Sequence, residues 1–190
     1  VSTVDPYVPK TFEEAVSELN PWKDKWIDAM ITDVRGKLEN GDEGAWNLVD
    51  ASEVSSKGRR ILKGKWVYSI KFNLDGSIDR FKARWVACGY AQEPGKDFTE
   101  TYASTLKGTT IRMFFAEAAR NGYVLNSIDV VKAFTHAKMR DDLYVEQPHG
   151  FVVKGKVCKL NQALEGTKQA AHLWQADLGD FLTNKRFGIN

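Results

Sequence analysis

Cysteine is scarce in this chain of 190 residues: there are two, Cys88 and Cys158. Thiols that far apart make neither a disulfide framework nor a metal-ligand spacing, which excludes a cystine-stapled secreted scaffold. Both read as small packed residues in a reducing compartment. Long apolar runs are also missing. None approaches the ~18 residues of a membrane-spanning helix, and the first residues show no apolar stretch with a small-residue cleavage site. There is no internal repeat and no low-complexity tract. The expectation is an intracellular protein, cytoplasmic or nuclear, with no membrane partner. The chain opens on Val1 and not Met, as a fragment or a processed piece would.

What is present can build a core. Hydrophobic residues make up 43% and aromatic residues 12%, enough for one domain, or one domain with a subdomain. The net charge of +2 conceals an asymmetry. Residues 1–53 hold five Lys/Arg against twelve Asp/Glu, and residues 54–90 hold nine against two. An acidic segment followed by a basic one suggests a surface that meets a polyanion and is partly shielded by its own neighbour. A solvated charged face is the plain alternative.

The periodicities define elements. "SELNPWKDKWIDAMITDVRGKLENGDEG" predicts a helix with Asn20 as cap, Pro21 in its first turn and Gly41 as stop. Trp22, Trp26, Met30, Val34 and Leu38 recur every fourth residue and form one apolar row for packing. "RRILKGKWVYSIKF" and "GSIDRFKARWVAC" alternate as strands and meet through Asn73-Leu74-Asp75-Gly76, a hairpin signal. On the second strand Arg80, Lys82 and Arg84 share one face, and Phe81, Ala83 and Trp85 the other. Three cations in a row repel one another and need an acidic partner or phosphates. "TTIRMFFAEAARNGY" predicts a helix capped by Thr109 or Thr110 and stopped near Gly122. "YVLNSIDVVKAF" reads as a buried strand, "DLYVEQ" as a short strand, and "GFVVKGKVCKL" as a tight hairpin around Lys154-Gly155-Lys156. "TKQAAHLWQADLGDFLTNKRFG" is a long helix with Leu173, Trp174, Leu178, Phe181 and Leu182 on its apolar side. The order is α+β, not a repeating βαβ series.

Three aspartates raise the question of a metal: Asp129 in a strand-like run, and the adjacent pair Asp141 and Asp142. Taken alone, Asp129 is either a metal ligand or an idle strand-end carboxylate. Neighbouring motifs bear on this. "KWVYSIKFNLDGSIDRFKARWVACGYAQEPGKDFTETYAS" resembles the fingers region of copia-type retrotransposon reverse transcriptases. "IDVVKAF" is similar to their D-V-x-x-A-F motif, "LYVEQPHGF" to V-Y-M-x-Q-P-x-G-F, and "LEGTKQAAHLW" to L-Y-G-L-K-Q-A-x-x-x-W. Any one is weak; four in family order, covering nearly the whole chain, are specific.

The resemblance implies an RNA-directed DNA polymerase fold of the right-hand, fingers–palm type. It implies three segments: residues 1–53 as an acidic helical segment, 54–122 as a fingers-like hairpin and helix, and 123–190 as a partial palm with a terminal helix. It implies roles too. Asp129 matches the first metal-binding, catalytic aspartate, and the Val130 carbonyl its backbone companion. Phe134 matches the steric gate under the sugar. Lys82 and Arg84 match the fingers cations that meet the triphosphate. Gly166 and Gln169 fall in the motif that lines nucleotide and template. Arg80, with Lys63 and Lys65, extends the face toward nucleic acid. Mg²⁺ is the implied cofactor, and a lone carboxylate does not hold it tightly. The family's paired aspartates belong to a later hairpin. Asp141-Asp142 sits where the family carries acidic loop residues, so the expectation is an incomplete palm that is inactive by itself. Ser104, Trp85, Cys88, Thr135, Glu165 and Thr167 depart from usual family residues, which suggests a decayed or repurposed copy. The alternative reading is a retrotransposon-derived module that binds RNA, DNA or a protein partner, or itself, without catalysis.

Overall fold

The computed structural model describes residues 6–39 and 43–183. A short helix α1 (Phe12–Val16) is capped by Thr11, whose Oγ1 accepts the Glu14 N–H at 3.2 Å. Asn20 then works in two directions: its Nδ2 donates to the carbonyls of Glu14 and Ala15, and its Oδ1 accepts the Trp22 N–H at 3.0 Å. Helix α2 (Lys23–Leu38) therefore begins a turn later than its expected cap, and Gly41, its expected stop, lies outside the described residues. Trp26, Met30 and Val34 of the apolar row are buried, while Leu38 at the end is exposed.

β1 (Trp46–Asp50) and a short α3 (Ala51–Ser56) lead to β2 (Ile61–Leu62) and the hairpin β3 (Gly64–Phe72) and β4 (Ile78–Ala87). The hairpin forms as its alternation and turn predict. Asp75 Oδ1 accepts the Ser77 N–H at 2.9 Å, and Gly76 takes the left-handed conformation at φ 82°. Helix α2 packs against β4, with the Trp26 ring edge-on to Tyr68 and to Phe81 at centroid distances of 5.3 and 4.7 Å.

After α4 (Gly108–Asn121), β5 (Tyr144–Val145) and β6 (Lys156–Leu160) complete a four-stranded sheet in the order β1-β6-β5-β2. β6 pairs antiparallel with β1 and with β5, and β2 pairs parallel with β5. The first and last thirds of the chain thus share a sheet. One hydrophobic core joins α2, the hairpin and this sheet through Trp26, Trp46, Trp66, Trp85, Val145 and Leu160. A smaller cluster seats α5 (Ala170–Thr183) through Ala170 and Leu173 against Ala137 and Ala163. The architecture is mixed α/β. Among the described residues no helix is long and apolar enough to cross a membrane.

Two expected elements are corrected. The segment around Lys154–Lys156 is not a hairpin: β6 finds its partners in β1 and β5. The preceding bend is tied instead by Gln147, whose amide donates to the carbonyls of Val153 and Lys156 at 2.8 and 2.7 Å and accepts the Val153 N–H at 2.9 Å. The segment 123–131 is not a buried strand: it is irregular, and Val124, Ile128 and Val131 are exposed. An apolar run becomes a strand only where a neighbouring strand takes its backbone N–H and C=O groups, and among the described residues no strand pairs with it.

Candidate active site

Strand β4 holds the cationic face. Alternation puts Arg80, Lys82 and Arg84 on one side of the hairpin, across from Lys71, Ser69 and Val67 of β3. Neighbours on such a face stand about 7 Å apart, where like charges repel by about 0.6 kcal/mol even at the dielectric of water. Among the described residues no carboxylate comes within ion-pair distance of Lys82 or Arg84, and Arg80 has only the adjacent Asp79 at 3.6 Å. Burial, then Arg84, Arg80 and Lys71, hold the Lys82 ammonium below the usual lysine range, with Asp33 pulling the other way. A multivalent anion relieves this repulsion.

The edge of β4, from Ile78 to Arg84, forms one wall of a cleft of about 920 Å³. α2 supplies a second wall through Trp22, Asp28 and Thr32, and the segment 129–134 closes it. The cleft brings together six of the residues singled out in sequence: Arg80, Lys82, Arg84, Asp129, Val130 and Phe134. Lys65 shares the cationic face but lies beyond the cleft, and Lys63 is exposed on the link into β3.

Gly166 and Gln169 are not among the residues that line the cleft. Gly166 adopts φ 90°, and a Cβ there would collide with the Ala87 carbonyl where the two chains cross. Next to it the Ala87 N–H donates to Glu165 O at 2.8 Å. Gln169 is 2% exposed and acts as a clamp. Its Nε2 donates to Asp97 O at 3.0 Å and to Asp141 Oδ2 at 2.9 Å, and its Oε1 accepts from Gln92 at 2.9 Å. Asp142 pairs with Lys159 at 3.0 Å, which holds its carboxyl below the usual range. The adjacent aspartates are thus engaged away from Asp129.

Asp129 and the Val130 carbonyl offer two hard oxygens on an exposed segment, and among the described residues no three His, Cys, Asp or Glu side chains converge.

Sequence reasoning missed a buried charge knot beneath the cleft. Lys37 is wholly buried; its Nζ donates to Asp33 Oδ2 and to the Trp85 carbonyl, both at 2.8 Å, and stands 3.4 Å from Glu165 Oε2. Asp33 Oδ2 also accepts the Trp85 N–H at 2.9 Å. The pair satisfies the free edge of β4, the role a third strand would otherwise fill. The available signal was an acid and a base four residues apart, each next to a member of the apolar row.

Four of the departures from family residues have visible contacts. Ser104 donates its N–H to Gln175 at 2.7 Å, which a proline could not do. The Trp85 indole occupies the space a Cβ on Gly64 would need. Thr135 and Thr167 donate their hydroxyls to Lys132 O and Leu164 O, both at 2.9 Å.

Residues 43–190 match the family model of reverse transcriptase (RNA-dependent DNA polymerase). The chain belongs to this family. It is 35% identical over 182 residues to the Retrovirus-related Pol polyprotein from transposon RE2 of Arabidopsis thaliana, covering 94% of this chain and 12% of that protein. It is 36% identical over 179 residues to the corresponding polyprotein from transposon RE1 of the same plant, covering 92% and 11%. It is 35% identical over 182 residues to that from transposon TNT 1-94 of Nicotiana tabacum, covering 94% and 13%. The chain therefore spans about an eighth of the length of the curated relatives it matches. No solved structure matches it significantly.

Proposed function

We propose that this chain is the fingers and first part of the palm of a right-hand polymerase from a retrotransposon Pol polyprotein. Its cleft takes the triphosphate of a nucleotide beside an RNA or DNA template–primer. Residues 1–53 are then the acidic helical segment, 54–122 the fingers-like part and 123–190 the partial palm, in an intracellular setting, cytoplasmic or nuclear. The observation that carries the reading is that two motifs remote in sequence, the β4 cations and the Asp129–Phe134 segment, line one cleft. Lys82 and Arg84 meet the phosphates, Phe134 lies against the sugar, and Asp129 with Val130 is one part of a metal site. Arg80, Lys65 and Lys63 carry the cationic face on toward the nucleic-acid backbone, and Gly166 and Gln169 hold the adjoining loops. Nucleotide joining needs two Mg²⁺ ions about 4 Å apart. One carboxylate does not hold them, so the 190-residue chain by itself binds nucleotide without joining it.

The test is titration with a fluorescent nucleoside triphosphate and with single-stranded RNA. The triple variant Arg80→Ala/Lys82→Ala/Arg84→Ala should lose affinity for both, and its RNA salt slope should flatten by about 0.7 for each phosphate contact removed. Equal binding by variant and parent, or binding indifferent to salt between about 50 and 200 mM, sinks the reading. Primer extension on RNA and DNA templates with Mg²⁺ or Mn²⁺ should give no product, and product abolished by Asp129→Ala would show that this chain polymerises by itself.

A second reading has its own support. Met113 and Phe114 on α4 are 73% and 58% exposed, and Val124, Ile128 and Val131 add to the uncovered apolar surface. A surface of this kind favours self-association or a protein partner without any chemistry.

A further inference from the structure

Among the described residues Lys132 is the one non-glycine residue with positive φ, at φ 55° and ψ 42°. Side chains other than Asn and Asp are disfavoured there, and such an outlier persists only where its surroundings hold it. The side chain passes from the cleft to α2, and its Nζ fills the place where a Cβ of residue 36 would stand, beside Gly36. Burial holds this half-buried ammonium below the usual lysine range. Asp33, Glu165 and Glu39 pull it back up, against Lys37. On the other side of the kink the Thr135 N–H and Oγ1 both donate to Lys132 O, at 3.0 and 2.9 Å, and start the turn Ala133–His136. Asp129 and Val130 stand just before the kink and Phe134 just after it, all in the cleft.

We infer that Lys132 is a positioning residue: seated on Gly36 of α2, it latches the left-handed kink that sets Asp129, Val130 and Phe134 opposite the cations of β4. It touches no reacting group; it acts through the backbone on either side. The latch is a property of the unliganded chain. What it positions for rests on the nucleotide reading above.

The latch couples two residues that belong to different elements, so a double-mutant cycle detects it. Alanine favours a helix interior over glycine. Gly36→Ala alone should therefore help α2, unless the methyl expels the Lys132 ammonium. Hydrogen exchange of the Thr135 and Ala137 amides, which donate to the carbonyls of Lys132 and Phe134, reads the kink when measured without ligand. Lys132→Met should speed these amides about tenfold, and Gly36→Ala should do the same, while the amides of β3 and β4 keep their rates. In a Lys132→Gly background, Gly36→Ala should add nothing. Gly36→Ala keeps every cation, so it should retain its affinity for inorganic tripolyphosphate and lose only the extra affinity for deoxythymidine triphosphate. Unchanged exchange in Lys132→Met, or additive effects of Gly36→Ala and Lys132→Gly, overturns the latch. A parent chain that binds the nucleotide no better than tripolyphosphate overturns the nucleotide reading instead, and the exchange rates still decide the latch.

Discussion

Lys37→Met withdraws one charge from the knot between α2 and β4 and leaves the stem volume nearly intact, so packing changes little. Asp33 then keeps a single donor, the Trp85 N–H at 2.9 Å. The Trp85 carbonyl loses the ammonium that donates to it at 2.8 Å. Glu165 Oε2, buried without a hydrogen bond even in the intact protein, loses a counter-charge 3.4 Å away. Breaking a buried ion pair from one side costs about 3–5 kcal/mol. The orphaned carbonyl falls within that figure, because one ammonium serves both acceptors. Against the roughly 5–15 kcal/mol that holds a domain together the loss is large. At about 2–4 °C per kcal/mol for a chain of this size, the thermal midpoint should fall by about 10 °C. Urea titration followed by tryptophan fluorescence should show a lower midpoint with an unchanged slope. Asp33→Asn/Lys37→Met removes both charges, keeps an acceptor for the Trp85 N–H, and should be more stable than Lys37→Met alone. A cost below about 1 kcal/mol for the single variant, or a double variant less stable than the single, refutes the reasoning.

Other outcomes follow from the same packing. Gly64→Ala drives a methyl into the Trp85 indole, and over-packing of this kind should cost about 1–3 kcal/mol in urea unfolding; an unchanged midpoint would show that the indole moves aside freely. Burial pushes the Cys158 thiol up to about 12. A pKa raised in the fold gives a contribution fully present below the unfolded thiol's value, about 8.5, and lost between there and 12. Over that window stability should fall by about 1.4 kcal/mol per pH unit through this group, and Cys158→Ala should flatten the profile. If α4 and residues 123–131 mediate association, light scattering should report more than one chain's mass at high micromolar concentration. Met113→Glu/Phe114→Glu should return it to one, and a parent with the mass of one chain that binds no hydrophobic dye excludes this surface as the driver.

The elements that could be read from the sequence are those whose cause is local. Alternation and the Asp75-Gly76 turn specify the hairpin and, with it, the shared face of Arg80, Lys82 and Arg84. The four-residue row of Trp26, Met30 and Val34 specifies the buried side of α2, and the motifs specify the family. The elements read wrongly depend on partners. "GFVVKGKVCKL" and "SIDVVKAF" carry strand-like patterns, but a strand is defined by what it bonds to. β6 found β1, from the other end of the chain, and residues 123–131 found none among the described residues. The cleft was legible only in part. The identities of Asp129 and Phe134 came from motifs, but their meeting with the β4 cations, the α2 wall and the seating of Lys132 on Gly36 needed the chain to be folded. The Asp33–Lys37 knot is the clearest case. In sequence it is an ordinary surface pair four residues apart, and nothing local distinguishes an exposed pair from a buried one. Tertiary packing decided it, because the free edge of β4 had to be given a donor and an acceptor once α2 had excluded water from it.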